Sequence, residues 1–144
     1  MRGDVRPSVV NPSAAPLEHR FAPHVAELPI ARATLRDWLS RTPLEWEACE
    51  ELLIVATELC TNAVRHAGSG LVTLRAWRED DHVVVEVEGL DSLGERSQVI
   101  RDVNDPYQEG GRGMLIVQSL CDDLSIVVRG RNRFVRCRKR VSVA

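Results

Sequence analysis

Residues 58–88 read ELCTNAVRHAGSGLVTLRAWREDDHVVVEVE, and the period of the apolar residues changes inside that stretch. Leu59 and Ala63 continue the helical spacing begun by Leu52 and Val55, which predicts a long helix running to about His66. Gly68, Ser69 and Gly70 then end it. Beyond them the pattern alternates. Val72, Leu74 and Ala76 share one face of a strand over Leu71 to Arg78. Arg78 to His82 is a charged hairpin turn, after which Val83, Val85 and Val87 alternate with Val84, Glu86 and Glu88. One face is apolar and the other polar, so the sheet is expected to be covered on one side only.

Upstream, Thr42-Pro43-Leu44-Glu45 reads as the start of the long helix. Thr42 is the N-cap, Pro43 the first helical residue, and Glu45 completes a capping box. Val25, Leu28, Ala31, Leu35 and Leu39 form a core-facing stripe of an earlier helix between His24 and Arg41, which Pro29 restricts to a start near Glu27. Leu17 to Phe21 fits a short edge strand. Residues 1–16, with Pro7, Pro12 and Pro16, read as a disordered tail, leaving 17–144 as one domain.

Downstream, Gly89 to about Glu109 has no periodicity, and a structureless stretch of about 20 residues is often a functional lid. Gly110-Gly111-Arg112-Gly113 leads into a helix carrying Met114, Leu115, Val117, Leu120 and Cys121. Leu124 to Val128 and Phe134 to Val141 close the chain as two strands around Gly130. This order predicts an α/β (α+β) two-layer sandwich, with a mixed, mostly antiparallel sheet and helices on one face. It is not the alternation of a doubly wound sheet.

The chain has 144 residues, 44% hydrophobic and 28% charged, with a formal net charge of -2. That balance makes no case for direct nucleic-acid binding, and aromatics at 4% argue against a stacking platform for single strands. No apolar run approaches the roughly 20 residues of a membrane helix, and no signal-peptide core opens the chain, so a cytoplasmic protein is expected. Cys49, Cys60, Cys121 and Cys137 lack C-x-x-C or zinc-finger spacing and read as small buried hydrophobes in a reducing compartment.

Glu58 and Asn62 lie four apart, on one face of a helix that is otherwise apolar. Such groups need partners. A polar stripe at a helix–sheet seam is one reading. In another, Asn62 gives its carbonyl oxygen to Mg²⁺ and Glu58 accepts a proton from an attacking hydroxyl. The glycines at 110, 111 and 113 either form a flexible lead-in or let phosphate approach a helix N-terminus; Arg112 meets that phosphate or faces solvent.

Together, Glu58-Leu59-Cys60-Thr61-Asn62-Ala63-Val64-Arg65-His66-Ala67 and Gly110-Gly111-Arg112-Gly113-Met114 resemble the N-box and second glycine box of the GHKL ATP-binding superfamily. The branch most similar is the single-domain anti-sigma factor kinase type. The resemblance implies a Bergerat-type ATP site, with ATP and Mg²⁺ as cofactors. Glu58 would be the general base and Asn62 the Mg²⁺ ligand. Gly111 and Gly113 would hold phosphates, with Gly110, Arg112 and Met114 beside them. It also implies phosphorylation of a serine or threonine on a STAS-type anti-anti-sigma protein, sequestration of a sigma factor, and a possible homodimer. His66 is read as packing at the helix end.

The first glycine box departs from the family pattern. Its aspartate position falls at Gly89, and Asp91 and Gly94 take over the base contacts only with a shifted loop. Asn132-Arg133-Phe134 likewise replaces a threonine usual near the base. A catalytically inactive module that regulates by binding is therefore the rival reading. Arg129, Arg131, Arg133, Arg136, Arg138, Lys139 and Arg140 make the last strands basic. Cross-strand pairing with Glu86 and Glu88, a docking patch for an acidic protein, and nucleic-acid contact are the three alternatives.

Overall fold

The computed structural model describes residues 15–67, 70–90, 99–100 and 111–141. Strand β1 (Leu17–Phe21) is followed by a 3₁₀ turn (Val25–Glu27), helix α1 (Leu28–Ser40) and helix α2 (Trp46–Ala67). Then come β2 (Val72–Glu79), β3 (His82–Leu90), the two-residue β4 (Val99–Ile100), helix α3 (Gly111–Leu120), β5 (Asp123–Arg129) and β6 (Asn132–Arg140). The strands form one sheet in the order β1-β2-β3-β6-β5-β4. Every strand pairing among the described residues is antiparallel.

The alternation in β2 and β3 decides which face the helices cover. Val72, Leu74, Ala76, Val83 and Val85 are fully buried and share one core with Leu35 of α1, Leu52 and Leu59 of α2 and Val117 of α3. Each of these large side chains contributes about 1.5–3 kcal/mol by leaving water. Helix α2 is the centre of the layer: it packs on β3 and β2, with α1 on one flank and α3 on the other.

Several boundaries differ from the sequence reading. Helix α2 begins at Trp46, not at Pro43, because Thr42 closes α1 instead of opening α2. Its hydroxyl donates to Trp38 O at 3.3 Å and its amide to Leu39 O at 3.0 Å. Leu44 is then buried in the core before the helix starts. Val25 sits in the 3₁₀ turn, 73% exposed, and takes no part in the stripe. Pro29 falls in the first turn of α1, where its missing amide leaves no bond unmade. Within the expected lid, Gly89 and Leu90 belong to β3, and Val99 and Ile100 pair with Val128 and Val127. Residues 91–98 and 101–110 lie outside the described residues, as do 1–14 of the expected tail.

The outer face is less open than alternation suggests. Val84 is fully buried and Glu86 only 6% exposed. Glu86 is flanked in register by Arg75 and Arg136, and both guanidinium groups bond it, at 3.1 and 2.7 Å. Arg136 also lies over the Trp77 ring, 5.2 Å from its centroid. Arg138 pairs with Glu79 and Arg140 with Asp81. Cross-strand pairing thus accounts for much of the basic C-terminal strand.

The cysteines correct the sequence reading. Cys121, just past α3, is disulfide-bonded to Cys137 of β6. Antiparallel pairing of β5 with β6 returns the chain so that residues 16 apart in sequence meet, with Cα atoms 6.0 Å apart. Cys49 and Cys60 are free.

Candidate functional site

Glu58 and Asn62 project from α2 toward the first turn of α3. A Cβ built on Gly113 would collide with Glu58 Oε1 and stand 3.3 Å from its Cδ. The carboxylate therefore occupies the space that the missing side chain leaves. One helical turn along, Asn62 is 8% exposed. Its Nδ2 donates to Met114 Sδ at 3.3 Å, and its Oδ1 accepts from Arg65 Nη1 at 3.4 Å. Met114 is 2% exposed and plugs the gap between the helices.

The glycines that read as a lead-in lie partly in the helix itself. Gly111 is the first residue of α3 and Gly113 its third. Their amides belong to the first turn, where no intrahelical acceptor exists and the dipole favours an anion. A candidate base, a carboxamide and a glycine-rich first turn thus converge on one spot. Gly110, Asp91 and Gly94 lie outside the described residues.

Beside this spot is a cleft between α2 and the sheet. Leu59, Ala63 and His66 form one wall, Val87 and Gly89 of β3 the other, with Arg133 and Val135 of β6 at the back. Its cavity volume is only about 20 Å³, room for a water or two. A Cβ on Gly89 would meet Ala63 at 3.5 Å and Val72 at 4.0 Å, ordinary contacts. The position expected to hold an acceptor for the base thus has space for a Cβ and carries none.

The donor set fits Mg²⁺ in one respect. Asn62 offers a carboxamide oxygen, a hard ligand, which Arg65 shares. Among the described residues no cluster of three or more His, Cys, Asp or Glu is assembled. A metal at Asn62 would thus draw its other ligands from phosphate and water.

Sequence reasoning placed Asn132-Arg133-Phe134 near the base but missed Met114 as the partner of Asn62. Arg65, three residues after Asn62, was legible as a neighbour on the helix. Arg133 reaches the cleft through its register opposite Gly89.

Residues 21–139 match the family described as the histidine kinase-like ATPase domain. A serine-protein kinase RsbW of Bacillus pumilus is 30% identical over 111 residues, covering 67% of this chain and 68% of that protein. An anti-sigma F factor of Lysinibacillus sphaericus is 26% identical over 110 residues, covering 71% of this chain and 75% of that protein. Among solved structures, the RsbU and RsbW domains from Mycobacterium tuberculosis match with a TM-score of 0.69 at 17% identity, over 90% of this chain and 33% of that one. That last likeness is one of fold. No helix among the described residues is long and apolar enough to cross a membrane.

Proposed function

Because the chain belongs to the histidine kinase-like ATPase family, we propose that it is an ATP-dependent serine/threonine protein kinase of the anti-sigma type. Its substrate is a STAS-type anti-anti-sigma protein and its second partner a sigma factor. The relatives named serine-protein kinase and anti-sigma F factor support this reading. The observation that carries it is the meeting of Glu58 with Gly113, one helical turn from Asn62.

Glu58 accepts the proton of the acceptor hydroxyl, raising the nucleophilicity of its oxygen. When bound, ATP with Mg²⁺ supplies the phosphoryl group and a cation that spreads the charge of its oxygens. The Asn62 carboxamide oxygen, which Arg65 shares, would hold that cation. The first-turn amides of α3, at Gly111 to Gly113, stabilise charge that grows on the transferring group. Gly113 has no side chain, so the Glu58 carboxylate stands against the first turn of α3.

The test is phosphotransfer from labelled ATP to a purified STAS-type partner. Glu58→Ala is expected to lower the rate by about 10²-fold or more while circular dichroism stays unchanged. Unchanged turnover would remove Glu58 as the base. Absence of both ATP binding and phosphotransfer in the wild-type chain would leave a binding module, the reading that Gly89 favours.

A further inference from the structure

The cleft beside Asn62 is too small for a nucleotide. Pockets for drug-sized ligands measure roughly 300–1,000 Å³, against about 20 Å³ here. Met114 of α3 lines it on one side, held by the Asn62 amide. Widening the cleft on that side means drawing the N-terminal turn of α3 away from α2. The far end of α3 is fastened to β6. Lys139 Nζ donates to Leu120 O at 2.8 Å and pairs with Glu51 at 2.7 Å. Asp122 N donates to Arg138 O at 2.9 Å. The one disulfide among the described residues, between Cys121 and Cys137, joins the same two elements.

The two sulfurs differ in access. Cys137 is fully buried on the inner face of β6, whereas Cys121 is half-buried at the helix end. An oxidant in solution reaches Cys121 first, and Cys137 stands in contact to resolve the product. Cys60 is excluded from such chemistry, since burial pushes its thiol up to about 12.

We propose that Cys121 and Cys137 form a reversible oxidation site, whose bond holds α3 closed over the cleft and whose reduction frees it. A hydroperoxide is the oxidant. The Cys121 thiolate attacks a peroxide oxygen, the O–O bond breaks, and a sulfenic acid forms as water or an alcohol leaves. The Cys137 thiol then displaces hydroxide from that sulfur, which departs as water with the thiol proton. Two thiols have lost two electrons and two protons, and the peroxide has taken both. A dithiol reductant reverses the bond by exchange. The consequence for nucleotide affinity rests on the proposed kinase reading; the consequence for α3 does not.

The experiment compares the full-length chain after dithiothreitol and after hydrogen peroxide. Peptide mass mapping reads the 121–137 bond, hydrogen exchange reads the amides of residues 111–120, and calorimetry reads ATP with Mg²⁺. Oxidation is expected to restore the bond, slow exchange in α3, and weaken nucleotide binding by about tenfold or more. Cys121→Ser should behave as the reduced form under both treatments. A bond that resists reduction in the native state, or α3 exchange equal in both states, overturns the proposal. If α3 responds but nucleotide binds in neither state, the switch stands and the kinase reading falls.

Discussion

The Glu58 carboxylate lies where a side chain on residue 113 would have to be. Two residues 55 positions apart therefore depend on each other: one can face the first turn of α3 only because the other has no side chain. The obstructing atom is the far end of a flexible chain, so the fold can yield where the geometry of the base cannot.

Gly113→Ala is accordingly expected to separate stability from activity. Alanine is the better helix former by up to about 1 kcal/mol, which offsets the cost of displacing Glu58. Thermal unfolding should shift little. The rate of phosphotransfer to a STAS-type partner should fall by about 10²-fold, as misplacing a reacting group by an ångström does. Full activity in this variant would show that Glu58 need not stand against α3.

Much of this site was legible in the sequence because it is local or periodic. Glu58 and Asn62 share a helix face by spacing alone, and alternation in residues 72–88 assigned the buried face of the sheet. Strand β1 fell at its expected bounds, Leu17–Phe21. What the sequence could not show depends on strand register. The disulfide required β5 and β6 to pair so that Cys121 met Cys137. The start of α2 was misplaced because Thr42 suits either side of a helix boundary, and its hydroxyl serves the preceding helix.

Glu86 anchors the outer face. Its carboxylate is 7% exposed between Arg75 and Arg136, whose side chains are 28% and 47% exposed. Breaking a buried pair costs about 3–5 kcal/mol, and the solvent reaching both arginines reduces that here to about 1–2 kcal/mol. Glu86→Gln should lower the urea midpoint by a corresponding amount. Asp37→Asn, which breaks the exposed pair with Arg41, should leave the midpoint where it is. Equal effects would mean that burial adds nothing at Glu86.

The free thiols differ in reactivity. Burial alone pushes the Cys60 thiol up to about 12, and burial together with Glu50 raises that of half-buried Cys49. At pH 8, alkylation of the oxidised native chain should modify Cys49 slowly and Cys60 only after unfolding. The sign for stability follows from the raised Cys60 value. Its contribution is whole below the unfolded pKa near 9.0 and is lost as pH climbs toward about 12. Cys60→Ala should flatten the decline in stability over that interval, and an unaltered alkaline limb would contradict the assignment.

Gly89 decides whether the base end of the cleft has lost a contact or replaced it. A Cβ there has ordinary contacts with Ala63 and Val72, so it enters without displacing backbone. Gly89 is not at a positive-φ position, which leaves the strand conformation open to any residue. Gly89→Asp would then add a carboxylate to the wall opposite α2, able to accept from an exocyclic amine. An acceptor regained at a buried site is worth about 1–3 kcal/mol, or roughly ten- to a hundredfold in affinity. Calorimetry of ATP with Mg²⁺ should show that gain, and GTP, which presents a carbonyl at the same place, should gain nothing. An equal gain for both nucleotides would trace the effect to general charge, and no gain for either would show that another residue already accepts from the base.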